Sequence, residues 1–247
     1  MKYVYAVTQQ SEFFQFQDFA SRYNSRLSAY LKYLSHEYGV QDLPRAIVWA
    51  SADTATNLIS NIPIPGYTNE FRTVFCPDIG SWRNIYLLQL DETDNVEIRR
   101  YYEADLTENH VLQILGHEFV HHSDLFIDEA YELARWFEEG MCEYISRKYF
   151  LTDAQFTEAA RINRLLVEQF QKKHGKASLE NFSADTYWEC YAGIFYAYWC
   201  SYLAIEQLVD RYKGDIMAVF REYHRWYNGG KAIPLSCWFR IEEKDIR

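Results

Sequence analysis

Residues 116–121, with the sequence Gly-His-Glu-Phe-Val-His, combine side-chain types and spacing suited to metal chemistry. On a helix, residues four apart lie on the same face, so His117 and His121 can converge on one ion. Zinc binds imidazole nitrogen at about 2.0–2.1 Å. Glu118 adjoins the first histidine and is placed to take a proton from a zinc-activated water rather than to bind the metal. The segment predicts a zinc-dependent hydrolase.

A third protein ligand must come from beyond this pair. His122 points about 100° away around the helix and cannot easily share the ion. Asp124 lies three residues beyond His121 and can reach the same face. The arrangement H-E-x-x-H-x-x-G-x-x-H is excluded, because Asp124 and Ile127 stand where it needs glycine and histidine. A carboxylate from residues 135–144, on a second helix, is the other source of a ligand.

A Trp-x-x-Glu-Gly pattern follows the histidine pair, at Trp136, Glu139 and Gly140. With the histidine motif, it resembles the gluzincin metallopeptidases, which include thermolysin and the zinc aminopeptidases. The resemblance covers roughly residues 84 to 214. It implies that Glu118 is the general base. The zinc ligands that it implies are His117, His121 and Glu139.

The same resemblance bears on two neighbouring carboxylates. Glu138 competes with Glu139 as the third ligand, but Trp136 and Gly140 fix the register in favour of Glu139. Glu143 lies one helical turn further on, where the related enzymes carry an acid. A carboxylate there can accept the free N–H of a ligating histidine, and the alternative is an ordinary solvated glutamate.

A tyrosine or a histidine opposite the metal is expected to stabilise the oxyanion. Residues 198–201 and 208–214 resemble a late helix of the gluzincins, whose tyrosine faces the zinc water. Tyr198 is therefore the predicted catalytic tyrosine. Tyr191 and then Tyr187 are the alternatives, since propensity does not distinguish neighbouring aromatic residues.

Hydrophobic periodicity predicts the elements that position these residues. Asp105 or Thr107 caps the metal helix, which runs to about Asp124. The predicted strands are residues 46–50 and 84–90. In the gluzincins, a sheet edge before the metal helix pairs with an extended peptide substrate, and the resemblance implies that residues 84–90 form this edge. The other predicted helices are residues 11–38, 128–150, 153–174, 184–212 and 214–227.

These elements predict an α+β fold: a small N-terminal β-sheet region with an active-site helix, then a mainly helical C-terminal lobe. We expect the 247 residues to form one metallopeptidase-like domain, with a sheet lobe at 1–105 and a helical lobe at 106–247. An apolar content of 49% is enough for a sizeable core. Residues 1–80 resemble no family that we can name.

Charge and composition exclude some partners. The net charge of −10 argues against nucleic acid, and no polybasic run suits an anionic membrane. No apolar run approaches the length of a membrane span, and no signal peptide is visible, so we expect a cytoplasmic protein. The five cysteines lack C-x-x-C spacing, which is typical of reduced thiols.

The predicted function is hydrolysis of a peptide bond in a peptide or protein substrate. Zinc polarises the carbonyl, Glu118 transfers a proton from water to the leaving amine, and a tyrosine steadies the oxyanion. One alternative is a catalytically weak or inactive zinc protein that acts as a sensor or interaction module. A metal-free helical interaction protein is the other. Endopeptidase and exopeptidase activity, and the oligomeric state, are not distinguished by the sequence.

Overall fold

The computed structural model describes residues 1–90, 95–188 and 190–241. They form an α+β fold with a small mixed sheet in the N-terminal part and a mainly helical C-terminal part, which confirms the predicted fold class. The strands are β1 (Lys2–Ala6), β2 (Ala46–Ala50), β3 (Gly66–Thr68) and β4 (Arg72–Phe75). The α-helices are α1 (Gln10–Tyr38), α2 (Ile79–Leu88), α3 (Val96–Arg100), α4 (Glu108–Val120), α5 (Arg135–Phe150), α6 (Asp153–His174), α7 (Tyr191–Arg211), α8 (Ile216–Asn228) and α9 (Leu235–Trp238).

The sheet has the strand order β1-β2-β4-β3. Strands β1, β2 and β4 are parallel, with Lys2 opposite Ala46 and Ala46 opposite Arg72. Strand β3 is antiparallel to β4 and forms one edge of the sheet. Parallel neighbours need a long connection, and α1 provides it between β1 and β2. The strand predicted at 46–50 and the helix predicted at 11–38 are confirmed.

The predicted strand at residues 84–90 is wrong. Most of this segment belongs to α2, and the carboxylate of Asp78 accepts a backbone N–H of its first turn at 2.7 Å. Trp82 and Ile85, three residues apart, are the buried positions of the helix. The apolar run is therefore one stripe of a helix. The missed signal was the capping aspartate, which precedes the run.

Packing divides the described residues into two compact units. The first unit consists of Met1–Leu87, Tyr102–Asp124 and Ile145–Leu151. The second takes the described residues of Leu88–Tyr101, Leu125–Tyr144 and Thr152–Arg247. Helix α5 contributes residues to both. A single domain divided near residue 105 stays a prediction.

In the first unit, α1 covers one face of the sheet. Its buried stripe includes Phe16, Phe19 and Tyr30, and Phe19 lies edge-on to Trp49 of β2 with ring centroids 6.0 Å apart. The helix ends at Gly39, which has φ of 67°. Glycine adopts this left-handed conformation without strain, and it stops the helix there.

In the second unit, α6 and α7 pack against each other. Helix α6 has the predicted bounds, because Thr152 caps it and Gly175 follows its end. The helix predicted at 128–150 is interrupted at Ala134, with a 3-10 turn at Asp128–Leu133 before α5. The helix predicted at 184–212 is a 3-10 turn, Ala184–Trp188, followed by α7. In the part of the chain that the structure describes, no helix is both long and apolar enough to cross a membrane.

Candidate metal centre

Helix α4 carries the histidine pair and begins where one of the two predicted caps stands. The side chain of Thr107 and that of His110 form a reciprocal capping box, so Thr107 rather than Asp105 is the cap. The regular helix ends at Val120, earlier than the predicted end near residue 124. His121 keeps right-handed helical angles, with φ of −54° and ψ of −21°. The spacing of the two histidines is therefore still that of one helical turn.

The two imidazoles are arranged as ligands of one ion would be. Nε2 of His117 and Nε2 of His121 lie 3.1 Å apart, and the ring planes meet at 71°. Two nitrogen ligands of a tetrahedral zinc, each at about 2.0–2.1 Å, are roughly 3.3 Å apart. The pair therefore fits zinc with little rearrangement. A direct hydrogen bond between the imidazoles has the same distance, and metal binding would replace it.

Close packing inside the first unit holds α4 in place. A Cβ on Gly116 would lie 2.5 Å from a ring carbon of Phe150, so only glycine fits there. The hydroxyl of Tyr30 donates to the Gly116 carbonyl at 3.2 Å. At the start of the helix, both terminal guanidinium nitrogens of Arg22 bind the Glu108 carboxylate, at 2.7 and 2.9 Å. These contacts fix the position of the histidine pair on a rigid element.

Glu118 is buried on α4, with 7% of its surface exposed. A buried carboxylate costs free energy unless it is paired, so chance placement of this residue type is disfavoured. The next histidine, His122, pairs with Thr68 of β3, whose Oγ1 lies 2.8 Å from Nε2. Burial, and then the charge of His121, lower the pKa of His122 to about 4. His122 is thus neutral at pH 7 and joins α4 to the sheet.

The sheet edge that packs on α4 is β3. The segment at 84–90, predicted for this place, is helical and cannot supply it. Strand β3 is three residues long and pairs on one side with β4, where Tyr67 stands opposite Val74. Residues 51–78 are rich in turn-forming residues, so the sequence did not indicate this short strand.

Glu139 lies on α5 in the second unit and is 2% exposed. Its Oε1 accepts a hydrogen bond from the hydroxyl of Tyr131 at 3.1 Å and a long one from Tyr187 at 3.5 Å. The hydroxyls of Tyr187 and Tyr198 lie 2.5 Å apart. Two tyrosine hydroxyls therefore contact this buried carboxylate, and a third, that of Tyr198, contacts one of the two.

Tyr198, the predicted catalytic tyrosine, stands behind Tyr187 in this chain of hydroxyls. Burial, then the nearby Glu139 and Tyr187, raise the pKa of Tyr198 well above its usual 10, so it keeps its proton. Tyr191 opens α7 and stacks on Phe195 with ring centroids 6.4 Å apart. Of the three tyrosines proposed from the sequence, Tyr187 is the one in direct contact with Glu139.

A buried thiol was not foreseen. The candidate ligand atoms of His117, His121 and Cys142 all lie within 4.8 Å of one another, so this His-His-Cys group can bind a metal ion. Among the described residues, Glu139 is not part of that group. Cys142 follows Glu139 by three residues and therefore shares its helix face. That spacing is the signal that could have identified it.

The roles predicted for Glu138, Glu143 and Asp124 stay predictions. Glu138 is buried, Glu143 is partly buried, and Asp124 is exposed. Asp124 lies at the end of the first unit, and its Cβ approaches the position that a side chain at Gly39 would occupy. All five cysteines lie within the described residues, and none of them forms a disulfide.

Comparison of the chain with protein-family models, curated proteins and solved structures gives no match. The resemblance to gluzincins therefore stays a prediction from two short motifs. A function can therefore be inferred only from the geometry around the histidine pair.

Proposed function

We propose that this protein is a zinc-dependent hydrolase of the metallopeptidase type. The observation that carries the proposal is the 3.1 Å separation of Nε2 of His117 and Nε2 of His121, with the buried Glu118 next to the first of them. A histidine pair alone suits many metal sites. The added buried carboxylate is what distinguishes a hydrolytic site, because it supplies a base beside the ligands.

In this proposal, His117 and His121 hold the metal and Glu139 completes the protein ligands, as the Trp-x-x-Glu-Gly pattern implies. When bound, zinc polarises a carbonyl and lowers the pKa of water. Glu118 accepts the proton of the attacking water and delivers it to the leaving nitrogen.

The edge strand β3 is the proposed binding place for the substrate backbone. An extended peptide can add to a free sheet edge through main-chain hydrogen bonds. Strand β3 packs on α4, and the hydrogen bond between Thr68 and His122 ties it to the residue that follows the second ligand. A peptide or protein substrate suits this edge better than a compact small molecule.

The oxyanion donor in this proposal is a tyrosine of the second unit. Tyr198 is the donor expected from the sequence. Tyr187 is the second candidate, because its hydroxyl contacts both Glu139 and Tyr198. Replacing each with phenylalanine separates the two, since the true donor is needed for turnover and not for metal binding.

One observation favours the alternative of a zinc protein that does not catalyse. Cys142 joins the two histidines in one group, and thiolate ligands are common in closed structural sites. Two histidines, a thiolate and a carboxylate together would leave no position for water. The two functions therefore differ in whether Cys142 binds the metal in addition to Glu139.

The test measures zinc per chain and peptide hydrolysis in the same preparations of full-length protein. The variants are Glu118→Gln, Glu139→Ala and Cys142→Ser. We expect one zinc in wild type, in Glu118→Gln and in Cys142→Ser, and much less in Glu139→Ala. Hydrolysis of a mixed peptide library should vanish in Glu118→Gln and persist in Cys142→Ser.

Two results would oppose the proposal. Wild-type protein that stays metal-free after incubation with zinc would exclude a zinc enzyme. Loss of zinc in Cys142→Ser, with no hydrolysis by the wild type, would instead identify the closed site of the non-catalytic alternative. Full activity in a zinc-loaded Glu118→Gln protein would remove the proposed base.

A further inference from the structure

We propose that Tyr131, oriented by Arg135, is a positioning residue that holds the Glu139 carboxylate in its metal-binding orientation. This inference rests on the proposed function, in which Glu139 is a zinc ligand. It adds a residue pair that neither motif contains. The direction of the hydrogen bonds among Arg135, Tyr131 and Glu139 decides which group restrains the carboxylate.

Arg135 fixes the direction of the first hydrogen bond. Its Nη1 lies 3.0 Å from the hydroxyl of Tyr131, and its guanidinium carbon lies 4.3 Å from the centre of the Tyr131 ring. Arginine has only donors, so the Tyr131 oxygen must accept this bond. The hydroxyl of Tyr131 in turn donates its proton to Glu139 Oε1, at 3.1 Å. The order of donors is Arg135, then Tyr131, then the carboxylate.

Arg135 is itself held in place. It is 6% exposed, and its Nη2 lies 2.6 Å from Glu132 Oε1. Its Nε is buried and lacks a hydrogen-bond partner. Burial works against the charge of Arg135, but Tyr131 and Glu132 beside it raise its pKa overall. A buried cation at this position is costly unless it serves neighbours of opposite charge, and Glu139 is one of them.

Tyr187 does not have the same role. Its hydroxyl lies 2.5 Å from that of Tyr198 and 3.5 Å from Glu139 Oε1, so its proton can go to either. A distance of 3.5 Å is also at the limit of a hydrogen bond. Tyr131 is therefore the hydroxyl that restrains the carboxylate, and Tyr187 is a weaker contact to the same oxygen.

Partners of this kind orient metal ligands, and their loss typically weakens metal binding about 10–100-fold. The experiment compares full-length Tyr131→Phe with wild type by competition for zinc with a chelator. The cobalt-loaded proteins give a second measurement, the visible spectrum, which reports ligand geometry rather than stability. Tyr202→Phe is the control, because Tyr202 is also buried in the second unit and donates to a glutamate, Glu206, at 3.3 Å.

We expect Tyr131→Phe to bind zinc about 10–100-fold more weakly and to have an altered cobalt spectrum. The metal-free protein should melt as the Tyr202→Phe control does. Zinc affinity and cobalt spectrum equal to wild type in Tyr131→Phe, with zinc lost in Glu139→Ala, would overturn the positioning role and leave the proposed function intact. Absence of zinc binding in wild type, or its retention in Glu139→Ala, would overturn both the ligand role of Glu139 and this inference.

Discussion

Replacing Gly140 with alanine tests how closely α5 approaches α7, next to the predicted ligand Glu139. A Cβ at residue 140 would lie 2.5 Å from the carbonyl oxygen of Ser201 and 2.7 Å from Cγ1 of Ile205. The first atom belongs to the α7 backbone and cannot turn aside as a side chain can. Normal contact would require the helices to separate by roughly 1 Å.

The cost follows from two opposing effects. Overpacking of this kind destabilises by about 1–3 kcal/mol, while alanine is a better helix former than glycine by about 1 kcal/mol. Because the nearest atom is a backbone oxygen at 2.5 Å, we expect the overpacking cost to lie in the upper part of its range, about 2–3 kcal/mol. The net destabilisation is then about 1–2 kcal/mol. At this chain length, each kcal/mol lowers the melting temperature by about 2–4 °C, so the expected decrease is about 2–8 °C.

Thermal unfolding followed by circular dichroism measures this decrease. Gly80→Ala in α2 is the matched control, since a Cβ there meets only the side chain of Asp78, at 3.2 Å, and no backbone atom of another helix. Alanine's better helix propensity opposes this one contact, so the control should melt no more than a degree or two below wild type. If Gly140→Ala melted at or above the wild-type temperature, the close crossing would be refuted. The glycine of the Glu-Gly pair would then need an explanation other than packing.

Two further predictions concern the first unit. Burial, and then the charge of Arg147, lower the pKa of His110 to about 4. The neutral form of His110 therefore contributes fully to the free energy of unfolding above pH 6.5, and this contribution is lost as the pH falls through about 4. The loss is about 3 kcal/mol. His110→Gln keeps the capping box with Thr107. It should make the pH dependence of urea unfolding between pH 7 and 4 less steep, with the part due to His122 remaining, whereas an unchanged slope would contradict the shift. Thr68→Val removes the hydroxyl that pairs with His122 and should lower the free energy of unfolding by about 1–3 kcal/mol. Thr56→Val is the control, because the hydroxyl of Thr56 bonds to the local carbonyl of Ala52. Equal losses in both variants would show that the Thr68 contact has no special role.

The parts of the fold that the sequence predicted well are those specified by neighbouring residues. Helix α6 was predicted to the residue because its cap at Thr152 and its terminating Gly175 are both adjacent to it. Strands β1, β3 and β4 were missed because three to five residues carry little periodicity, and their pairing joins distant parts of the chain. Helix α2 was misassigned because its apolar run was considered without the aspartate before it.

The same distinction applies to the candidate site. The distance between His117 and His121 follows from helix geometry, so the motif was sufficient to predict it. Cys142 and Tyr131 could not be recognised as neighbours of candidate ligands, since a thiol and a phenol occur in many surroundings. The choice between Tyr187 and Tyr198 depends on a 3-10 turn that no local pattern specified.

The reactivity of the cysteine thiols can be used to measure local opening motions of the protein. Cys190 and Cys237 are exposed, whereas Cys76, Cys142 and Cys200 are buried. Burial raises the pKa of Cys76 to about 11 and that of Cys200 to about 12, so at neutral pH they are almost entirely in the unreactive thiol form. Pulsed alkylation of the native protein would therefore modify the exposed pair first. The slower labelling rate of each buried cysteine would report how often the structure around it opens, without any introduced probe.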